Sequence, residues 1–373
     1  MIFQNASVFY RGTFQRLDLK TNGALIEEIA PHIPGKPALD CSGKLLIPGL
    51  IDIHTHGCVG FDFSTASPEE METMLKYYQK NGITSVCATT MTMPSEGCRR
   101  AARNIAGAAK QAGGSRIIGI NMEGPFLSRQ RKGAHDEQYL TAPDKALLDE
   151  FNRLSGGLLK IINLAPELDG AMKIIDDYHS EKVISIAHTA CGYETALEAF
   201  DRGADHITHL FNAMNGLHHR DPGIIGALSD RDVFAELICD GIHIHPAVIR
   251  LMFRLCAAKM VMISDSMCAC GLSDGQYQLG GLDVTVVNRK ATLSDGTIAG
   301  SSTNVYQGMR NVIGFGVPAE QAILSATLLP AKSIRCDSDY GSLEVGKHAD
   351  LLLLDQDYQV EAVYQDGNLS SEL

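Results

Sequence analysis

The chain has 373 residues, 45% hydrophobic and 20% charged, a balance that supports a sizeable core and argues against bulk disorder. Its 32 basic and 44 acidic side chains leave a formal charge of −12, which speaks against a nucleic-acid surface or an anionic membrane patch. No apolar run approaches the ~18–20 residues of a membrane span, so no membrane partner is expected.

The N-terminal "MIFQNASVFYRG" lacks a basic n-region followed by a long apolar core, so no signal peptide is expected. Residues 1–46 carry short strands and turn residues without helical period. Eight apolar runs then follow, each ending in polar residues: "LLIPGLIDIHTH", "ITSVCATTMT", "IIGINMEG", "LKIINLAPE", "VISIAHTA", "HITHLFNA", "VFAELICDG" and "VMISDSM". The segments between them mostly show helical period. In "SPEEMETMLKYYQKNG", Ser67 is an N-cap, Pro68 the first helical residue, Glu70 closes a capping box and Gly82 stops the helix. The link after "HITHLFNA" is the weakest helix of the set.

Strand and helix alternating eight times predicts an α/β fold, a (β/α)8 TIM barrel over residues 47–340. A β-hairpin insertion near 276–298 is expected to join a small β-sandwich. Residues 1–46 and 341–373, both β-rich, form the two parts of that sandwich. Ten cysteines without framework spacing read as reduced thiols, and the chain as cytoplasmic.

A (β/α)8 barrel keeps its chemistry at the C-terminal ends of its strands. Collected there are His54 and His56 from strand one, Glu123 from three, His188 from five, His209 from six and Asp265 from eight. Residues two apart on a strand share a face, so His54 and His56 aim together. A lone His or Asp at a strand end is more often a satisfied polar residue or a cap than a ligand. Four imidazoles and two carboxylates at one mouth are another matter. This donor set suits one or two divalent first-row ions per chain, Zn²⁺ first, with Fe, Mn or Co as alternatives.

The order H-x-H, Glu, His, His, Asp resembles the amidohydrolase superfamily. The words "PGLIDIHTHG", "NMEGPFLSRQRKGAH", "DHITHLFNAMNGLHHRDPGIIGA", "ELICDGIHIHP" and "GSLEVGKHADLLLLD" are similar to those of its N-acetylglucosamine-6-phosphate deacetylases, in order along nearly the whole chain. That resemblance implies a principal metal held by Glu123, His188 and His209, and a second supported by His54 and His56. It implies Asp265 as catalytic acid/base beside the metals, with His135 and His243 reaching the substrate. Ala134, Asn212, Ala213, Arg220, Asp240 and the stretch Ile298, Ala299, Gly300 are implied as further substrate-binding positions. It also implies a homodimer, since in some relatives such an arginine reaches across the interface. Ser264 before the aspartate, "CAC" at Cys268 to Cys270 and "TMTMPS" depart from the family's words and bear on substrate shape.

The chemistry expected is hydrolysis of the acetamide of N-acetyl-D-glucosamine 6-phosphate. Metal lowers the pKa of bound water from ~15.7 towards ~7, making hydroxide the nucleophile, while Asp265 moves the proton. A permanently charged Arg220 suits the phosphate in a chain of this net charge. The 4-epimer, N-acetylgalactosamine 6-phosphate, is the nearest alternative. A cyclic amidase or deaminase fits less well, because Glu123 stands where a carbamate-bridged site would use a strand-four lysine. A metal-free binding protein is disfavoured by the intact donor set.

Overall fold

Eight parallel strands follow one another round the molecule in chain order in the computed structural model, which describes residues 1–111 and 113–372. They are β1 (Leu50–Thr55), β2 (Ile83–Thr90), β3 (Arg116–Met122), β4 (Leu159–Leu164), β5 (Val183–Ile186), β6 (His206–Ile207), β7 (Phe234–Ile238) and β8 (Met260–Ile263). Just past its C-terminus, β8 meets β1 and closes the ring. There the Asp265 N–H donates to the His54 carbonyl at 2.9 Å and the His56 N–H to that of Ser266 at 2.8 Å. Every residue of β1 and β2 is buried, as expected of parallel strands covered on both faces.

The helices between the strands include α1 (Pro68–Lys80), which has the expected box: Glu70 N–H donates to Ser67 Oγ, and Ser67 N–H to the Glu70 carboxylate. The helix after β6 is only Gly223–Ala227, the weak link that its sequence suggests. A polar layer crosses the barrel below its mouth. Asn121 donates to the Ile53 carbonyl at 3.0 Å, Asn163 to that of Met122 at 3.1 Å, and the Ser185 and Thr208 hydroxyls pair at 2.5 Å.

The first apolar run, "LLIPGLIDIHTH", is not one strand. Leu45–Pro48 pairs with Ile2–Tyr10 and Leu351–Leu354 in a second sheet, and only from Leu50 does the chain enter the barrel. Gly49 is the break, and a Cβ there would collide with the Thr84 side chain. The second sheet joins both tails, in the order 368–372, 360–365, 351–354, 45–48, 2–10, 13–22, 25–30, with 38–40 also on strand 2–10. It curls until its edge at Leu25 bridges His348, and it encloses a core of its own that includes Phe3, Leu19, Leu46 and Leu351. Arg116, at the start of β3, ties it to the barrel through Asp350 at 2.9 Å and Asp366 at 2.8 Å.

The insertion after β8 does not join this sheet, contrary to expectation. Gly275–Leu279, Leu282–Val287 and Lys290–Thr292 form a separate three-stranded sheet. Its apolar face packs with Met91, Ala134 and Met267, all from loops at the barrel mouth. The physical reason lies in that face: Leu279, Val284, Val286 and Ala291 are buried there, and the mouth loops offer the apolar surface to cover them.

Candidate active site

His54 is the last residue but one of β1 and His56 follows the strand; Glu123 comes directly after β3. His188, His209 and Asp265 each stand two residues past the ends of β5, β6 and β8. All six are buried. The last three have left-handed backbone, with φ of 44°, 28° and 47°, a conformation that costs a non-glycine residue about 1–2 kcal/mol. Neighbours hold it in place. His188 Nδ1 meets the Arg131 carbonyl at 2.9 Å, and the Asp265 carbonyl accepts from Ser301 N–H at 2.7 Å. The backbone N–H of His209 donates to Glu236 at 3.2 Å.

Glu123 is the hub. Its Oε1 lies 3.1 Å from His188 Nε2 and 2.9 Å from His209 Nε2, and those two nitrogens are 3.1 Å apart. Its Oε2 lies 3.1 Å from His56 Nε2, which in turn is 3.1 Å from Asp265 Oδ1. His54 Nε2 stands 3.5 Å from Glu123 and 3.6 Å from Asp265, without a hydrogen-bond partner.

Tautomers separate ligands from donors in this cluster. A carbonyl and a carboxylate only accept, so His188 Nδ1 and His54 Nδ1, facing the Arg131 carbonyl and Glu236 at 2.8 Å, carry the protons. Their Nε2 atoms, turned towards Glu123, are then the nitrogens available to a metal. His135 is the reverse. The Thr92 backbone N–H donates to its Nδ1 at 3.3 Å, leaving Nε2–H directed at Glu123 Oε2, 3.4 Å away.

Bare imidazole nitrogens facing carboxylate oxygens need a cation between them, and this arrangement fits a divalent metal. In the bare chain a proton supplies that charge: burial opposes it, yet the Glu236 and Glu123 charges raise His54 well above the usual imidazole range. Burial opposes ionisation of Glu123, yet the His54 charge and then the hydrogen bond from His135 hold its carboxyl well below the usual range. Burial lowers His188 to about 4, leaving it neutral. His56 rises to about 9 despite its burial, because Asp265 and Glu123 hydrogen-bond to it.

A cavity of about 300 Å³ opens onto this cluster. Of the expected substrate positions, Ala134, His135, Asn212, Ala213, His243, Ile298 and Gly300 line it, beside His56, Glu123, His188, His209 and Asp265. Asp240 lies behind His243 and orients it, with Oδ2 2.7 Å from Nδ1. Ala299 is fully buried in the wall. Arg220 is elsewhere: in this single chain it is exposed, hydrogen-bonded to His219 at 2.7 Å, and does not line the cavity.

Sequence reasoning missed several residues. Met91, Leu279 and Thr297 also line the cavity, and the Thr92 hydroxyl stands 2.8 Å from His135 Nδ1. Glu236 and Asp52 are wholly buried carboxylates in apolar strand words, a signal that was there to read. Asp52 accepts the Ser264 hydroxyl at 2.5 Å, which gives the departure at Ser264 a structural task. Burial pushes Asp52 up to about 7, the Ser264 bonds opposing it. Cys268 and Cys270 are buried behind the mouth and do not line the cavity.

Fold and site together define a metal-dependent hydrolase on a (β/α)8 barrel. The chain belongs to the amidohydrolase family, whose pattern matches residues 45–370. It is 38% identical to the N-acetylglucosamine-6-phosphate deacetylase of Vibrio furnissii over 87% of this chain and 82% of that one. It is 35% identical to the N-acetylgalactosamine-6-phosphate deacetylase of Escherichia coli O157:H7, over 93% and 92% of the two chains. Among solved structures, the N-acetylglucosamine-6-phosphate deacetylase of Pasteurella multocida superposes with a TM-score of 0.94 at 29% identity, over 100% of this chain and 99% of that one. A mutant of the Mycobacterium smegmatis enzyme, in complex with N-acetyl-D-glucosamine-6-phosphate, gives 0.93 at 30% identity, over 99% of each.

Proposed function

We propose that the chain hydrolyses the acetamide of N-acetyl-D-glucosamine 6-phosphate to D-glucosamine 6-phosphate and acetate, as a zinc-dependent homodimer. The observation that carries this reading is a full donor set, His54, His56, Glu123, His188, His209 and Asp265, in a chain 38% identical to such a deacetylase. Glu123, His188 and His209 hold the principal ion, and His54 and His56 support a second. When bound, the metal lowers the pKa of water towards ~7 and polarises the carbonyl.

Asp265 takes the proton of the attacking water and returns it to the departing sugar nitrogen. Burial opposes its ionisation, but the hydrogen bond from His56 and the charge of His54 hold its carboxyl below the usual range. His135 donates its Nε2–H to the carbonyl oxygen as charge builds there. His243, oriented by Asp240, offers a second donor. Ala134, Asn212, Ala213 and the stretch Ile298 to Gly300 surround the sugar. Among the described residues the cavity lining includes no Lys or Arg, so a dianionic phosphate requires a cation from outside it. Arg220 of the partner subunit fills that role in a homodimer.

A second reading, the galactosamine epimer, is favoured by the 35% identity to the N-acetylgalactosamine-6-phosphate deacetylase. Acetate release from the two phosphosugars, measured side by side before and after chelation, tests both. The expected outcome is faster turnover of the gluco epimer, abolished by chelation and restored by Zn²⁺. Faster turnover of the galacto epimer moves the assignment to the second reading. Full activity in metal-free protein, or no acetate from either sugar, sinks both.

A further inference from the structure

Strand β7 is "FAELI", apolar but for Glu236, and nothing above gives that carboxylate a task in the reaction. It is wholly buried, as are His54 and His206 on either side of it. Its Oε2 stands 2.8 Å from His54 Nδ1 and accepts the His209 N–H at 3.2 Å. Its Oε1 stands 3.3 Å from His206 Nε2. A buried carboxylate is costly unless its oxygens are matched; Oε2 is matched by His54 and the His209 N–H, while Oε1 has only the nearby His206 ring and no hydrogen bond.

The consequence falls on the far side of the His54 ring. Glu236 can only accept, so Nδ1 keeps its proton and Nε2 is the nitrogen left to bind a metal. That nitrogen has no hydrogen-bond partner, though it is buried between Glu123 at 3.5 Å and Asp265 at 3.6 Å. A ring nitrogen facing two carboxylates in this way forms a donor set that a metal cation completes. Carboxylates behind metal-binding imidazoles fix tautomer and ring orientation in general, and their loss weakens metal binding about 10- to 100-fold.

We propose that Glu236 is the positioning residue of the second metal site: by holding the His54 tautomer and ring, it decides whether His54 and His56 hold an ion. His206 steadies Glu236 from below. The inference rests on the reading of Glu123, His188 and His209 as the principal site, and its test separates the two.

Metal-free protein is titrated with Zn²⁺ against a chromophoric chelator, and ions per chain are counted by mass spectrometry. Three chains are compared: wild type, Glu236→Gln, which keeps the shape and one acceptor oxygen, and Glu236→Leu, which keeps neither. Wild type takes up two ions. In Glu236→Leu the second step weakens about 10- to 100-fold and the first by much less, through the lost acceptor for the His209 N–H, and Glu236→Gln falls between. Cobalt in the second position of Glu236→Gln gives an altered visible spectrum, a change that general loosening of the fold would not confine to one ion.

Equal affinities in all three chains overturn the proposal, as does parallel weakening of both steps, which would make Glu236 scaffold. If Glu236→Leu does not fold, a second step of wild-type strength in Glu236→Gln overturns it alone. A wild type that saturates at one ion removes the second site and this proposal with it. A wild type that binds none removes the deacetylase reading itself.

Discussion

At the barrel mouth, imidazoles and carboxylates are buried against one another, and His188, His209 and Asp265 hold left-handed backbone. In the sheet built from the two tails, the interior is Phe3, Leu19, Ile26 and Leu351, and the buried Asp18 accepts two backbone N–H groups, from Asn5 and Ile33, each at 2.8 Å. Left-handed residues occur there too, but at a bulge (Asn5) and in turns (Arg11, Asp366). One region satisfies its polar groups locally. The other leaves them facing a common point and relies on a ligand to complete them. Stability and activity commonly trade against each other at such sites, so variants in the two regions should fail in opposite ways.

The largest effect is expected at Asp265. Asparagine tolerates a left-handed φ as readily as aspartate, so Asp265→Asn keeps the fold and the principal ion. Turnover falls by roughly 10²–10⁴-fold, the worth of general acid–base catalysis, while the melting temperature holds or rises. Near-normal turnover would show that another group moves the proton. Steady-state kinetics and a thermal melt on one preparation decide the matter.

Arg220→Met comes next and tests the substrate class. A charge-assisted contact worth about 1.5–3 kcal/mol predicts roughly a 10- to 150-fold loss in kcat/KM on the phosphosugar. The unphosphorylated N-acetyl sugar, already poor, should barely change, and metal content should stay intact. Equal losses on both sugars would place the damage in the fold or the dimer.

The smallest effect belongs to the other region. Arg116→Met leaves Asp350 and Asp366 without their shared cation and costs about 1.5–3 kcal/mol of stability, read by chemical unfolding. Metal content and turnover measured well below the transition should match wild type. A turnover defect there would mean that the tail sheet steers the mouth, and the contrast between the regions would collapse.

Much of the mouth was legible in the sequence because strand geometry is simple. Alternation put His54 and His56 on one face, and the barrel rule put Glu123, His188, His209 and Asp265 at one end. Other features answer to contacts that no local pattern reveals. An apolar run does not say where one sheet hands over to another, and the break at Gly49 depends on Thr84, far along the chain. Glu236 was readable as a charge inside "FAELI" yet was not singled out, and its meaning needed His54 Nδ1 beside it. The insertion at 275–292 was visible as strands, whereas its docking over Met91 and Ala134 is a matter of which apolar surfaces remain uncovered. Arg220, bold in "LHHRDPG", lies outside the cavity of a single chain.

The position of Leu45–Pro48 also sets an order of events during synthesis. It lies inside the tail sheet, with Ile2–Tyr10 on one edge and Leu351–Leu354 on the other. A ribosome adding ~5–20 residues per second takes about 15–60 s to pass from Pro48 to the second partner at Leu351. All eight barrel strands emerge in that interval, since β8 ends at Ile263. The barrel can therefore close while Leu45–Pro48 still presents an open apolar edge, of the kind that invites wrong partners. The last strands then act as a clasp, and the nascent chain is most exposed to aggregation just before the clasp arrives.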